Sequence, residues 1–231
     1  MNLLDAKSPL KVLVACEYSG RVRDAFNALG HNAISCDLLP TDSPGPHYQG
    51  DVFDLINWPV GKRLDLSNGA AWFASGRRGN VLGFDLMIAH PPCTRLANSG
   101  VRWLAERDLW DEMQKAADFY LRLRNCAIPK KCLENPVMHK YARELLGSFP
   151  RQVVQPHWFG EKTFKATGYE LHGLPQLVPT DKLQTPKQGT DEHKAWSWVH
   201  RCPPGPNRWK IRSTTPLGIA KAMAEQWGGR V

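Results

Sequence analysis

Apolar positions along the chain follow two rhythms, short unbroken runs and helical spacing. Lys11 to Cys16 (KVLVAC) is an unbroken β-branched and apolar run, the pattern of a parallel strand buried on both faces. The turn Glu17-Tyr18-Ser19-Gly20 follows it. Val22, Phe26 and Leu29 then recur at helical spacing, and Gly30 stops the helix. His31 to Cys36 (HNAISC) reads as a second strand ending on Asp37. Strand, turn, helix and strand in that order predict the opening of a doubly wound, Rossmann-like α/β fold. Met1 to Leu10 reads as a short lead-in. Pro40 to Gly50 reads as a loop, Asp51 to Ile56 as a short third element, and Gly61 to Asn80 as an irregular insertion beside the sheet.

Phe84 to Ala89 (FDLMIA) is the clearest later strand, and His90-Pro91-Pro92-Cys93 terminates it. The pattern predicts a long helix over Leu104 to Arg124 and a brief strand over Lys131 to Leu133 that ends on Glu134-Asn135-Pro136. A helix over Val137 to Leu146 and a strand over Gln152 to Gln155 complete the series. From Pro156 the periodicity fades and Pro, Gly, Trp, Lys and His accumulate, which predicts a small loop- or β-rich appendage. Helical spacing returns over Thr215 to Trp227, with Ile219, Met223 and Trp227 on one face. The expected division is therefore 1–155, an α/β domain; 156–212, the appendage; and 213–231, a helix packing back on the first part.

A length of 231 residues suits one domain plus an appendage, and 42% hydrophobic against 23% charged residues suits a packed core. No apolar run approaches the roughly 18 residues a membrane span needs, and the N-terminus lacks the layout of a secretory signal, so a cytoplasmic location is expected. The formal charge of +8 and pI near 9.3 favour a polyanionic partner, nucleic acid above all. Six cysteines include no CxxC pair, which argues against a zinc ribbon or a disulfide framework. His193, His200 and Cys202 fall short of four suitably spaced ligands, so no metal is expected.

In an open parallel sheet, ligands bind outside the carboxyl ends of the strands. Glu17, Tyr18, Ser19 and Gly20 fall at the first such end, Asp37 and Leu38 at the second, Asp51 and Val52 near the third, and Pro91-Pro92-Cys93 at the fourth. Asp37 sits where a carboxylate can accept ribose hydroxyls, and Asp51 where one can accept an adenine amine. A strand-end Asp is as often a helix cap, so each feature alone is weak and the set is what outlines an adenosine pocket. One glycine, Gly20, makes no dinucleotide fingerprint. Two prolines stiffen the loop that carries Cys93, which sets it apart from the other cysteines, read as small apolar fillers. Glu134 follows another strand and points to the same cleft; the alternative is a carboxylate stabilised by the helix after it.

At these residues the chain resembles the DNA cytosine-C5 methyltransferase family, as a compact member of a size that suits a phage or mobile-element gene. Tyr18-Ser19-Gly20 is similar to the family's first cofactor loop, Asp37 to its ribose-binding acid, and Gly50-Asp51-Val52 to its adenine-binding Gly-Asp-Ile. Pro91-Pro92-Cys93 resembles the Pro-Cys nucleophile loop and Glu134-Asn135 the Glu-Asn pair. Phe159-Gly160 resembles the Tyr-Gly that opens a later motif, and Ser213 to Glu225, with Thr215, resembles the last motif, which lines the cofactor pocket. The resemblance implies S-adenosylmethionine as cofactor, DNA as partner, Cys93 as nucleophile toward cytosine C6, and Glu134 at N3 and the exocyclic amine.

The departures from the family are local. Its Gln-x-Arg-x-Arg is replaced here, with Lys165 in the place of the first arginine and Thr167 in that of the second. Contact with the base carbonyl then falls to Lys165, Thr167 or Arg95. The recognition region, 168–212, is short, which implies a short site, weak specificity or a protein partner. Lys162, Lys187, Arg201, Arg208 and Lys210 are candidates for phosphates, and Trp196 and Trp198 for stacking on bases. The alternatives are a solvated basic face and a tryptophan core of the appendage. An amino-methyltransferase and a catalytically idle nucleic-acid-binding module are the competing functions.

Overall fold

The computed structural model describes residues 8–66, 71–73, 80, 82–147, 149 and 151–229. Most of the lead-in and part of the Gly61–Asn80 insertion lie outside the described residues. The strands are β1 (Lys11–Ala15), β2 (Asn32–Asp37), β3 (His47–Gln49), β4 (Arg63–Asp65), β5 (Ala71–Phe73), β6 (Leu86–Ala89), β7 (Lys130–Pro136), β8 (Arg151–Val154) and β9 (Thr167–His172). The helices are α1 (Arg21–Asn27), α2 (Val52–Ile56), α3 (Arg102–Glu106), α4 (Trp110–Arg124), α5 (Lys140–Leu146), α6 (Asp191–Trp196), α7 (Trp198–Arg201), α8 (Arg208–Ser213) and α9 (Leu217–Met223).

Seven strands form one sheet in the order β3-β2-β1-β6-β7-β9-β8, and β4 pairs with β5 in a separate ribbon. From β3 to β7 every neighbour is parallel, whereas β9 runs antiparallel to both β7 and β8. This is a doubly wound, Rossmann-like α/β sheet, as the opening pattern predicts. β1 alternates its side chains between two cores. Val12 and Val14 join Val22 and Phe26 of α1 and Ile219, Met223 and Trp227 at the C-terminal end. Leu13 and Ala15 face α2, α4 and α5 through Phe53, Tyr120 and Ala142. Burial on both faces is why β1 carries no polar residue after Lys11.

Several local expectations are corrected. The third strand is His47–Gln49, inside the expected loop, while Asp51–Ile56 is helical from Val52, with Phe53 N–H donating to the Asp51 carboxylate at 2.9 Å. Asp51 thus takes the helix-cap role. The long helix over Leu104–Arg124 breaks at Asp108, whose φ of 50° is left-handed and ends α3 before α4 begins. The helix expected from Val137 starts at Lys140, capped by the His139 ring, which accepts from Ala142 N–H at 3.1 Å. β7 extends through Glu134 to Pro136 because β9 pairs with it from Lys131 to Pro136. That pairing draws Thr167–His172 into the main sheet, away from the appendage. Beyond β9, residues 173–213 carry the short helices α6, α7 and α8 joined by loops.

Candidate active site

The strand order reverses between β1 and β6, whose neighbouring carboxyl ends open a crevice at the switch point. Backbone bonds carry the sheet past its strand ends: Glu17 N–H donates to Cys36 O at 3.0 Å, and His90 N–H to Ala15 O at 2.9 Å. Both loops therefore leave the sheet from fixed points. Because β9 is antiparallel, its first residue, Thr167, lies opposite Pro136, which brings Lys165 and Thr167 to the same edge.

One side of the crevice is a cleft of about 180 Å³ lined by Cys16, Cys36, Asp37, Leu38, Gly50, Asp51, Val52, Pro92 and Phe119. Its walls are mostly apolar, with two carboxylates. Asp37 spends one oxygen on Leu39 N–H at 2.9 Å, and Leu38 stands 74% exposed beside it. Burial pushes the Cys16 thiol up to about 12, with the Asp37 and Asp51 charges adding to it, so this thiol stays protonated at neutral pH. A second, open groove of about 700 Å³ shares Asp51 but is lined by Tyr48, Trp58 and Arg122 and contains neither Cys93 nor Glu134.

The first turn is built for rigidity. The Glu17 carboxylate is buried and accepts Val22 N–H at 2.8 Å and the Ser19 hydroxyl at 3.2 Å, so it serves the N-terminus of α1. Gly20 has φ 74°, and a Cβ there would lie 2.3 Å from the Arg23 guanidinium. The fully buried Arg23, which sequence reasoning did not single out, donates to Ser35 at 3.0 Å and to Ser43 O at 3.0 Å, pinning the loop beyond β2. The Tyr18 hydroxyl donates to Lys210 O at 2.9 Å, and Arg21 donates to Thr215 O at 3.0 Å. Tyr18 and Thr215 are thus part of a seam joining the first turn to the segment before α9.

Cys93 opens a helical turn, its carbonyl accepting Leu96 N–H at 3.0 Å and Ala97 N–H at 2.9 Å. Burial raises the thiol above its ordinary range, the Glu134 charge adds to the rise, and Lys165 and Arg212 pull the other way. Glu134 is held by His90, whose Nδ1 lies 3.0 Å from Oε2; the two side chains are 9% and 14% exposed. For Glu134, burial pushes upward, but the His90 hydrogen bond and charge, with Lys165, outweigh it and hold the carboxyl below its usual range. Lys165 reaches Thr214 O at 3.4 Å. Cys93, Glu134 and Lys165 therefore share one electrostatic environment, with Pro91 buried in the loop between the strand and Cys93.

The other candidates are placed elsewhere or otherwise engaged. Arg95 turns away to Glu112 at 2.8 Å. Thr167 is buried and its hydroxyl donates to Lys165 O at 3.2 Å, so it steadies Lys165. Val52 is in the α2 core. Trp196 is 3% exposed and packs on Phe164, with ring centroids 5.4 Å apart, so of its two alternatives it takes the core one. Trp198 is 43% exposed but donates from its indole N–H to Thr163 at 2.9 Å. Lys162, Lys187 and Arg201 are exposed, Arg208 is half-buried, and Lys210 pairs with Asp42 at 2.7 Å. Arg212 is near enough to Cys93 to act on its thiol, and its Nε is buried without a partner among the described residues. Glu161 accepts Gly218 N–H at 2.8 Å and so ties the segment after Phe159-Gly160 to α9.

Neither a protein-family model nor a curated protein matches the chain. Among solved structures it is similar to the methyltransferase EhMeth of Entamoeba histolytica, at 12% identity and a TM-score of 0.40 over 77% of this chain and 58% of that one. It is also similar to the Dnmt2 methyltransferase of S. pombe, at 13% identity and a TM-score of 0.39 over 77% of this chain and 52% of that one. The match thus spans little more than half the length of either protein.

Proposed function

We propose that this chain transfers a methyl group from S-adenosylmethionine to C5 of a cytosine in DNA, with Cys93 as a covalent nucleophile. The observation that carries the reading is that the charges of Glu134 and Lys165, from two other stretches of chain, act on the Cys93 thiol, next to Pro92 in the lining of the Asp37–Asp51 cleft. The cleft fits an adenosine moiety by its chemistry. Leu38, Val52, Pro92 and Phe119 offer apolar surface to a base, and Asp37 offers a carboxylate to ribose hydroxyls. Asp51 keeps its capping bond while its carboxylate lines the same cleft. S-adenosylmethionine supplies the electrophilic methyl carbon that the reaction needs.

The chain's own residues do the rest. As a thiolate, Cys93 forms a bond to C6, and the displaced electron pair makes C5 nucleophilic while N3 takes up a proton that reaches it through the Glu134 carboxylate. C5 then bonds to the methyl carbon as the bond from that carbon to the donor sulfur breaks. Loss of the C5 proton to solvent breaks the C6–S bond and returns the thiolate, and N3 gives its proton back through Glu134. Lys165 steadies that thiolate and meets the base carbonyl, a role for which Arg95 is turned the wrong way. The base has to leave the stack to reach Cys93. Lys162, Lys187, Arg201, Arg208 and Lys210 supply cations for the backbone, and the short recognition region leaves room for a partner that adds specificity. Such an enzyme works in the cytoplasm of a bacterial or phage-infected cell; among the described residues no helix is long and apolar enough to cross a membrane.

The test is methyl transfer from labelled S-adenosylmethionine to double-stranded DNA, single-stranded DNA and RNA, with the modified nucleoside identified by mass spectrometry. 5-Methyldeoxycytidine, absent with Cys93→Ala, supports the reading. Label at N4 or N6 would replace it with an amino-methyltransferase, and label confined to RNA would move the substrate class.

A further inference from the structure

Next to Glu134 stands a residue that the functional reading has not used. His90 is the first residue after β6, its main chain fixed by the 2.9 Å bond from its N–H to Ala15 O. Its ring crosses to the neighbouring strand, where Nδ1 meets Glu134 Oε2 at 3.0 Å. A carboxylate only accepts, so Nδ1 is the protonated nitrogen. The ring's other nitrogen, Nε2, is buried and has no partner among the described residues. A half-satisfied imidazole in a side chain only 9% exposed is a poor way to fill space, because a buried polar atom without a partner destabilises the fold. Among the described residues the one polar contact that the ring makes is with Glu134.

Building on the methyltransferase reading above, we propose that His90 is the positioning residue for the Glu134 carboxylate, occupying Oε2 through Nδ1 and so reserving Oε1 for the cytosine ring. No hydrogen bond from the described residues engages Oε1. When Glu134 takes up a proton, Oε2 is already an acceptor for Nδ1–H, so the proton resides on Oε1. From there it passes to N3 as the C6–S bond forms, and it returns to Oε1 when that bond breaks. The charged and titratable groups around Glu134 are consistent with this division. His90 and Lys165 act on it directly, while Cys93 on its loop, Cys132 on the same strand and Tyr169 on β9 all feel its charge. Of these, only His90 forms a hydrogen bond with it.

The experiment compares His90→Ala with His90→Asn, whose side-chain amide can donate near the place of Nδ1 but does not titrate. Two readouts are taken on the full chain, with melting curves to show that each variant is folded. One is a carbon-13 NMR titration of the Glu134 carboxyl, assigned with Glu134→Gln. The other is single-turnover methyl transfer to cytosine-containing duplex DNA as a function of pH. His90→Ala should raise the Glu134 titration midpoint and slow transfer by about 10–100-fold, the scale of losing an orienting partner, with the KM for S-adenosylmethionine unchanged. His90→Asn should restore most of the rate, and added imidazole should restore part of it to His90→Ala. An unchanged midpoint together with an unchanged pH–rate profile in His90→Ala would overturn the proposal, as would a folded His90→Asn no better than His90→Ala. Should the wild-type protein transfer no methyl at all, the functional reading falls, and the titration by itself decides whether His90 governs Glu134.

Discussion

Two carboxylates, Glu134 on β7 and Glu170 on β9, lie one step apart in the sheet and have opposite fates. Glu134 pairs in register with Tyr169, and Leu133 with Glu170, so the two acids point to opposite faces. Glu170 is 1% exposed and saturated. It accepts from the Tyr120 hydroxyl at 3.1 Å, from Arg124 Nη2 at 2.8 Å and from His172 at 2.8 Å, and Arg151 stands 3.9 Å away. Arg124 in turn donates to Leu146 O, tying α4 to the end of α5. Among the described residues Glu134 has one hydrogen-bond partner, His90, and its side chain is 14% exposed. Burial and a histidine neighbour are common to both, so neither marks a reactive acid. What separates them is the hydrogen-bonding capacity that Glu134 leaves unspent among the described residues.

That contrast can be broken by substitution. The largest effect is expected at the proposed nucleophile: Cys93→Ala should lower methyl transfer by about a thousandfold or more with little change in stability, as read by single-turnover kinetics and denaturant melts. Glu170→Ala should do the reverse. Removing one partner of a buried network leaves Arg124 uncompensated and should cost about 3–5 kcal/mol of stability in a urea melt. Glu134→Gln should keep the fold and reduce transfer by about a hundredfold or more, because the amide cannot act as the acid. If Glu134→Gln and Glu170→Ala destabilised the protein equally, the distinction between the two acids would be lost.

Smaller effects sharpen the picture. The Cys93 thiol is held above its ordinary range, so alkylation by iodoacetamide should be slow at neutral pH and climb beyond the usual thiol range of about 8.5. Removing the Glu134 charge should move that climb to lower pH, and Lys165→Ala should move it to higher pH. Asp37→Ala should weaken S-adenosylmethionine binding by about tenfold, the loss of one charge-assisted bond, measured by calorimetry. The smallest effect concerns acid stability. The carboxyl of Glu134 is depressed in the folded state, so its contribution to stability is present above the ordinary carboxylate range and fades as pH falls through the folded value. The stability gap between wild type and Glu134→Gln should shrink accordingly on acidification.

Local signals made much of this legible. An unbroken apolar run marks β1, and the stiff Pro91-Pro92 step marks the Cys93 loop, since both depend on neighbours in sequence. His47–Gln49 escaped because a three-residue strand with polar members carries no period, and it forms only through register with Ser35, Cys36 and Asp37. β9 escaped for a related reason: Thr167–His172 looks like appendage until β7 and β8 pair with it on either side. The same limit applies within the site. Glu134 is legible from its motif, whereas the grip of His90 on it joins residues 44 apart and exists only once β6 and β7 lie side by side. Arg23 goes unmarked by the apolar spacing of its helix, and it is fully buried because the loop after β2 folds over it.

The central claim is that Cys93 bonds to a cytosine. The direct measurement is to incubate the protein and S-adenosylmethionine with DNA carrying 5-fluorocytosine and examine the denatured product by peptide mass spectrometry. Fluorine cannot leave C5 as a proton does, so the account requires a stable adduct on the peptide containing Cys93, formed by the wild type and lost with Cys93→Ala. Cofactor binding without any adduct across diverse sequences, or an adduct on another cysteine, would contradict it.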